Sequence, residues 1–592
     1  MSTRAELLEE QMRMAEELLF SGQPLPSFAK ALFFGVYDAK RVFPFPGPSA
    51  EERTRTEEFC TRLNAMMDRE LDADWIDRNA QFPPSLLKAF GEIGVLGCTL
   101  PKDYGGLGFS QYGYCRMVEE VARRCGSSAL FINAHQSIGL KALLLFGTKE
   151  QQDRWMPGLA RGEYLAAFAL TEPNAGSDAA GVQTRATYDP VKKVYRLNGE
   201  KQWITNGSIA HILTVMAQTE VDTSRGKEDK ITAFLVTPDM PGFKVTAHSL
   251  EKVGMRGSTT AKLAFENMEV PEANILGPKG GGLKVALTVL DFGRTTFGAT
   301  CTGSAKELFQ RAVAHAKTRH QFKRPLASFG LVKEKIATMS ALVYAMESTT
   351  YLTAGLLDRG EEDFMMETAM LKVLASDFQW RVLYDTMQIL GGRSFFTDEP
   401  YERMMRDARL NMIGEGSNEV LRAFISVVGM RDVGMQLKKI TEVTKTPMES
   451  ITSALGFGKK TLESVLRSPV VPVDAPELQD EASRLSGLVR KLGLAIPRLL
   501  ASHKEGIVEQ QMILDRLSTI AMGVYSTTAV LSRLDSELAS KNGKRSELSN
   551  DLASGKLYCK VTFDQIEACL AGLFTNNDDQ YMKLSYDITG IE

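Results

Sequence analysis

The residues best placed to do chemistry lie in Ile413-Gly414-Glu415-Gly416-Ser417. A carboxylate between two glycines has no bulky neighbours. The backbone there can approach a ligand closely and the side chain can reach a carbon acid as a general base. The Ser417-Asn418 pair that follows is an N-cap signature and predicts a helix over 419–428. Taken alone, the pentapeptide reads equally as a solvated surface turn. His135, in Asn133-Ala134-His135-Gln136, has a pKa suited to proton transfer. It lies in a largely apolar helical stretch, however, and reads as a hydrogen-bonded core histidine.

The elements that must position Glu415 follow from length and pattern. A chain of 592 residues is too long for one core and implies about three to five units. With 24% charged and 44% hydrophobic residues it has a globular composition, and a net charge of -3 gives no reason to expect nucleic acid. The seven cysteines are scattered without CxxC spacing, so no metal site or disulfide framework is suggested and a reducing compartment fits. No uninterrupted apolar run reaches the roughly 18 residues that span a bilayer. The pattern of residues 1–20 predicts an acidic amphipathic helix, unlike an Arg-rich organellar presequence. A bacterial cytoplasm is therefore expected, or the matrix side of a mitochondrion for a processed eukaryotic chain.

The pattern divides the chain into an N-terminal helix and extended arm (1–50), a helical domain (51–163), an antiparallel β domain (164–278), a helical bundle (279–432) and an appended helical region (433–592). Long helical patterns at 283–319, 332–358, 361–390 and 417–430 suit a four-helix bundle. In the last region the stripe Ile513, Leu517, Ile520, Val524, Leu531, Leu534 and Leu538 predicts a core-facing helix over 506–538.

Three long motifs occur in order: Phe168-Ala169-Leu170-Thr171-Glu172-Pro173-Asn174-Ala175-Gly176-Ser177-Asp178, then Asn198-Gly199-Glu200-Lys201-Gln202-Trp203-Ile204-Thr205-Asn206, then QILGG, ERMMRDAR and EGS. With them, residues 50–430 resemble the acyl-CoA dehydrogenases. SFAKALFFG and VFPFP near the start, with HKEGIVEQQMILDRL near the end, narrow the likeness to the very-long-chain branch. The resemblance implies an α+β chain with the acyl-CoA dehydrogenase fold. It also implies FAD as cofactor and oxidation of a long-chain or very-long-chain fatty acyl-CoA to the trans-2-enoyl-CoA in fatty acid β-oxidation. That chemistry needs a carboxylate at the α-carbon, donors on the thioester oxygen and a clamped flavin.

Residue by residue, the resemblance makes Glu415 the base. A rival position on the first bundle helix is Gly293 here, so Glu415 stands alone. It places Phe168, Leu170, Thr171, Trp203, Thr205, Arg319, Gln321, Phe322, Gln388, Gly391, Gly392, Ser417 and Glu419 at FAD, with the Gln388-Gly392 segment on the FAD of a neighbouring subunit. Ser177, Asp291, Arg294 and Gly416 fall to substrate. Read without the family, Trp203 is a core aromatic, Arg319 a solvated helix-end cation, Gly391 a helix C-cap, and Asp291 with Arg294 an i,i+3 surface pair.

Departures from the family pattern are Gln321-Phe322-Lys323 for QFG, Gly391-Gly392-Arg393-Ser394 for GGxG, Gly414 before the base, Lys333 for a glutamine, and Phe292 beside the pocket. The expected partners are electron-transfer flavoprotein and a second copy in a homodimer. Peripheral membrane contact is expected through 436–467, whose lysines interleave with apolar residues, unless that stretch packs on the protein. The rival readings are an acyl-CoA oxidase and an assembly scaffold that keeps the fold.

Overall fold

The computed structural model describes residues 27–443, 468–540 and 545–591. The predicted N-terminal helix and the 436–467 membrane stretch lie outside the described side chains. Two compact units are present. One comprises Ser49–Ser304 and Thr397–Asn411, the other Ser27–Pro48, Ala305–Phe396 and Met412–Glu592.

In the first unit, helices including Ala50–Glu70, Gln111–Arg124, Gly126–Asn133 and Lys149–Ala160 precede an eight-stranded sheet. Its strands are β1 (Ala166–Ala169), β2 (Arg185–Asp189), β3 (Val194–Thr205), β4 (Ile212–Thr223), β5 (Gly226–Val236), β6 (Phe243–Ala247), β7 (Thr260–Pro271) and β8 (Ile275–Leu276), in the order β6-β7-β3-β2-β4-β5-β8 with β1 beside β4. Most pairings are antiparallel as expected, but β1 and one residue of β2 meet β4 in parallel, so the sheet is mixed. The runs VYRLNG and KQWITNG, which look separate in sequence, form the single strand β3.

Alternation builds the packing. In β1, Ala166 and Phe168 enter one apolar cluster while Ala167 and Ala169 enter another on the opposite face. β4 divides its apolar residues the same way, Ile212 and Met216 against Leu213, Val215 and Ala217. The short helix Tyr401–Leu410 is fixed by ion pairs. Arg406 makes two bonds to Asp77 (3.0 and 2.6 Å) and two to Glu402 (2.8 and 3.1 Å), and Arg403 bonds Asp74 (3.0 Å). Asp407 accepts the Met255 N–H at 2.5 Å, and burial pushes its carboxyl up to about 6.

The second unit is helical. The tail of Gly282–Thr318 is followed by Gly330–Asp358, Met365–Leu390 and Asn418–Val443, then by Gln479–His503, Gln511–Ser540, Ser549–Gly572 and Asp578–Thr589. The predicted stripe from Ile513 to Leu538 is buried throughout and belongs to the central helix of the appended region.

Residues 27–48 are not the extended arm that their prolines suggested. They contain the helices Phe28–Leu32 and Ala39–Val42, with Phe28, Leu32, Phe33 and Val42 fully buried. A Cβ on Gly429 would come within 2.5 Å of the Phe33 ring, so only glycine lets that ring lie against the helix backbone.

Glu367 caps this segment by accepting the Ala29 N–H at 2.8 Å. Burial first, then Asp363, pushes its carboxyl up to about 7. A carboxyl raised from its ordinary 4.5 binds its proton more tightly in the native state. Its stabilising contribution is therefore full below that value and lost as pH rises through about 7. Glu367→Gln keeps the acceptor without the ionisation. Its thermal midpoint is expected to vary less than wild type between about pH 5 and 8, as read by calorimetry.

Candidate active site

In the first unit the candidate flavin residues converge on one corner of the sheet. Phe168 and Leu170 are buried with their side chains in the apolar core, so what they offer a cofactor is backbone. Thr171 is half-buried, and its carbonyl accepts the Gln202 N–H at 2.9 Å.

Next to it Trp203 is no core aromatic. The β3–β7 register jumps between Lys201 and Ile204, Trp203 takes φ +60°, and its side chain swings out to 59% exposure. A bulge that re-aims one large aromatic into solvent is a feature of binding sites. Thr205 has returned to the ladder opposite Thr260. Ser177 is exposed in the loop after the Glu172–Ala175 bridge. Asp291 and Arg294 do form the i,i+3 pair, at 2.9 Å, but both are buried rather than on the surface. Lys141 lies 4.7 Å above the Phe292 ring between them in sequence.

His135 is fully buried, accepts the Ala166 N–H at 3.0 Å and lies 3.1 Å from the Leu96 carbonyl. Burial lowers its pKa to about 4, which leaves it a neutral structural group.

In the second unit Glu415 is half-buried in a turn, with φ +56° and Gly416 at φ +96° after it. A non-glycine residue in the left-handed region costs about 1–3 kcal/mol and persists only where its surroundings enforce it. The enforcing group is Lys372, a residue that the sequence reading missed. It is 1% exposed and donates to the Gly416 carbonyl at 2.7 Å and to Asn418 Oδ1 at 2.9 Å. Asn418 in turn donates to Asp377 at 2.7 Å, and its N–H bonds the Met412 carbonyl at 3.1 Å. Asn418 is thus a tie across the turn and not a helix cap. Lys372→Met keeps the stem and removes the donor. Turnover is expected to fall about tenfold or more, while FAD content, read from flavin absorbance, is retained.

Ser417 follows with its hydroxyl unbonded among the described residues, and Glu419 is exposed on the next helix. Arg319 is exposed and its guanidinium has no partner among the described residues, the state of a cation available to an anionic ligand. It leads into a two-residue hairpin pairing Gln321 with Arg324. Gln388 is exposed and donates to Tyr384 at 3.0 Å. Gly391 takes φ +61°, and both Gly391 and Gly392 are open to solvent with nothing near their missing side chains.

Family models now give the decisive comparison. The acyl-CoA dehydrogenase N-terminal, middle and C-terminal domains match residues 54–163, 167–268 and 280–429, and the ACAD9/ACADV C-terminal domain matches 476–590. The chain belongs to the acyl-CoA dehydrogenase family.

It is 36% identical over 525 residues to the human mitochondrial very long-chain specific acyl-CoA dehydrogenase, covering 87% of this chain and 79% of that protein. The probable acyl-CoA dehydrogenase FadE10 of Mycobacterium tuberculosis (strain H37Rv) is 33% identical over 607 residues, covering 99% and 92%. The crystal structure of a Bacillus anthracis acyl-CoA dehydrogenase complexed with FAD has a TM-score of 0.78 and 28% identity, over 93% and 94% of the two chains.

For an acyl-CoA dehydrogenase the departures acquire physical content. Phe322 (φ +51°) and Lys323 (φ +65°) are the two central residues of the hairpin, both in the conformation that glycine adopts without penalty. Phe322 is 87% exposed. Lys323→Gly is expected to stabilise this acyl-CoA dehydrogenase by about 1 kcal/mol, read as a shift in urea midpoint at constant slope. In GGRS, Ser394 is buried and donates to the carbonyls of Met387 and Gly391 at 3.0 and 2.8 Å, satisfying the helix end.

Proposed function

We propose that this acyl-CoA dehydrogenase carries out FAD-dependent α,β-dehydrogenation of long-chain or very-long-chain fatty acyl-CoA to trans-2-enoyl-CoA, with Glu415 as base. The observation that carries the reading is the enforced left-handed turn at Glu415, a strained carboxylate in the position the family uses for proton abstraction. The residues present fit a flavin: an exposed aromatic at Trp203, a half-buried Thr171 whose N–H has no acceptor among the described residues, and an Arg319 guanidinium with no partner among them.

Glu415 takes a proton from the carbon next to the thioester carbonyl, and its carboxyl holds that proton until release. Bound FAD supplies the acceptor for the β-hydrogen as hydride. Trp203, Thr205 and Thr171 would hold the ring system, and Arg319 would neutralise the pyrophosphate. Asp291 and Arg294, buried and mutually paired, present fixed polar groups at the substrate side, with Ser177 and Gly416 completing the acyl-CoA contacts. Gln321 and Phe322 on the hairpin, and Gln388, Gly391 and Gly392 at a helix end, serve the cofactor, the latter three across a homodimer. Ser417 and Glu419, which follow the base in sequence, would also serve the cofactor.

The electron acceptor in this reading is electron-transfer flavoprotein. The domain division at 50, 163, 278 and 432 belongs to the same proposal. So does a bacterial cytoplasmic or matrix-side location, with membrane contact through 436–467. Assay of the FAD-reconstituted protein with palmitoyl-CoA, octanoyl-CoA and electron-transfer flavoprotein tests it, and trans-2-enoyl-CoA is the expected product. Absence of enoyl product from every straight-chain thioester would sink the reading.

A further inference from the structure

We infer that Lys201 and Glu172 are positioning residues for the flavin, a buried latch that aims the Thr171 backbone and the Trp203 ring. The inference rests on the FAD reading above. Lys201 Nζ donates to Glu172 Oε1 at 2.6 Å and to the Leu170 carbonyl at 3.0 Å. The Lys201 side chain is completely buried and that of Glu172 is 4% exposed. Glu172 also accepts the N–H groups of Gln183 at 2.5 Å and Thr184 at 3.0 Å. Three chain segments, at 170–172, 183–184 and 200–202, are thereby tied at one point.

Two consequences reach the cofactor side. A trans peptide points its carbonyl and its N–H in opposite directions. Drawing the Leu170 carbonyl inward to Lys201 therefore turns the Thr171 N–H away from the latch, and that N–H has no acceptor among the described residues. The bulge that exposes Trp203 starts directly after Lys201, where ladder pairing is interrupted until Ile204. The buried Lys201 is thus the last fixed point before the ring. A buried ion pair is weak evidence for stability, because desolvation offsets most of its attraction. A role in geometry accounts for a lysine here better than a role in holding the fold.

The test compares FAD binding by the apoprotein, followed by quenching of flavin fluorescence, with the absorbance spectrum of the bound flavin. Glu172→Gln keeps the shape and one acceptor oxygen, removes the charge, and turns an amide N–H toward a backbone N–H that Glu172 now accepts. The double variant Lys201→Met with Glu172→Leu removes both partners, so that neither is left buried and uncompensated. Both are expected to weaken FAD binding about tenfold or more, the scale on which groups behind a ligand's direct contacts act, and to shift the flavin band. The thermal midpoint of the apoprotein should stay close to wild type for the double variant and fall for Glu172→Gln, which leaves Lys201 buried without its counter-charge, so binding is read well below both midpoints. Should the double variant not fold, Glu172→Gln decides alone. A Glu172→Gln protein with wild-type FAD affinity and spectrum would overturn the proposal and leave the FAD reading intact. Wild-type protein that binds no FAD would overturn both.

Discussion

Glu415→Gln is expected to lower turnover of palmitoyl-CoA by about two to four orders of magnitude, the usual contribution of a positioned general base. The substitution isolates basicity. Glutamine has the same length and the same cost at φ +56°, and Lys372 holds the turn through the Gly416 carbonyl and Asn418, neither of which it alters. FAD content and acyl-CoA binding should therefore survive, and the loss should fall on kcat more than on KM. Rapid-reaction measurement of flavin reduction separates the two. Residual turnover above about a tenth of wild type would place the base elsewhere, since no base contributing so little fits the mechanism.

The second large effect concerns the appended region. Glu347 on the Gly330–Asp358 helix receives Arg533 of the Gln511–Ser540 helix at 2.9 Å, and Lys306 bonds its other oxygen. Arg533 also bonds Glu537 at 2.8 Å and lies over the Tyr344 ring at 4.6 Å. Burial alone would raise the Glu347 carboxyl, but Arg533 and Lys306 together hold it well below the usual carboxylate range. Removing it leaves two cations facing each other in a largely buried site. Glu347→Leu is expected to cost about 3 kcal/mol, the lower end for a broken buried pair, because the three side chains keep 17–22% exposure.

The depressed carboxyl also sets a pH signature. Its contribution is present above the ordinary carboxylate value and is lost as pH falls through the lower folded value. In urea titrations the wild-type advantage over Glu347→Leu should thus shrink toward acid pH. An advantage independent of pH would show that packing, and not charge, joins these helices.

The proposed roles of Glu415, Thr171 and Arg319 come from motifs, and at these positions the structure adds a left-handed turn, a half-buried threonine and an exposed cation. Other features were legible only in part. Strand alternation through Tyr195, Leu197 and Gly199 puts Lys201 on the inward parity, so its burial could have been read. The same parity puts Trp203 inside. The bulge that reverses it depends on the partner strand β7 and leaves no local trace. Lys372 carried a signal too. Ala369, Met370, Leu371, Val373, Leu374 and Ala375 surround it, so the helix has no polar face there for a cation to occupy.

In the appended region, Ser549–Gly572 buries Ser554, Gly555, Tyr558, Cys559 and Thr562, small or polar residues that blur the apolar period. The short helix at Phe28–Leu32 was hidden by flanking prolines, which read as an arm, whereas Ser27 caps it by accepting the Lys30 N–H. The stretch 388–419 reads as continuous in sequence, yet it divides between the two units at Phe396 and Asn411. Contact partners set that division, and no residue within the stretch signals it.

The central claim is that this chain removes an α-proton and a β-hydride from a fatty acyl-CoA. Anaerobic titration of the FAD-loaded protein with palmitoyl-CoA, following the flavin absorbance band, tests it with no acceptor and no coupled assay. The account predicts bleaching of the band in wild type and none in Glu415→Gln. A wild-type protein that holds FAD and keeps its oxidised spectrum through excess palmitoyl-CoA and octanoyl-CoA would contradict it.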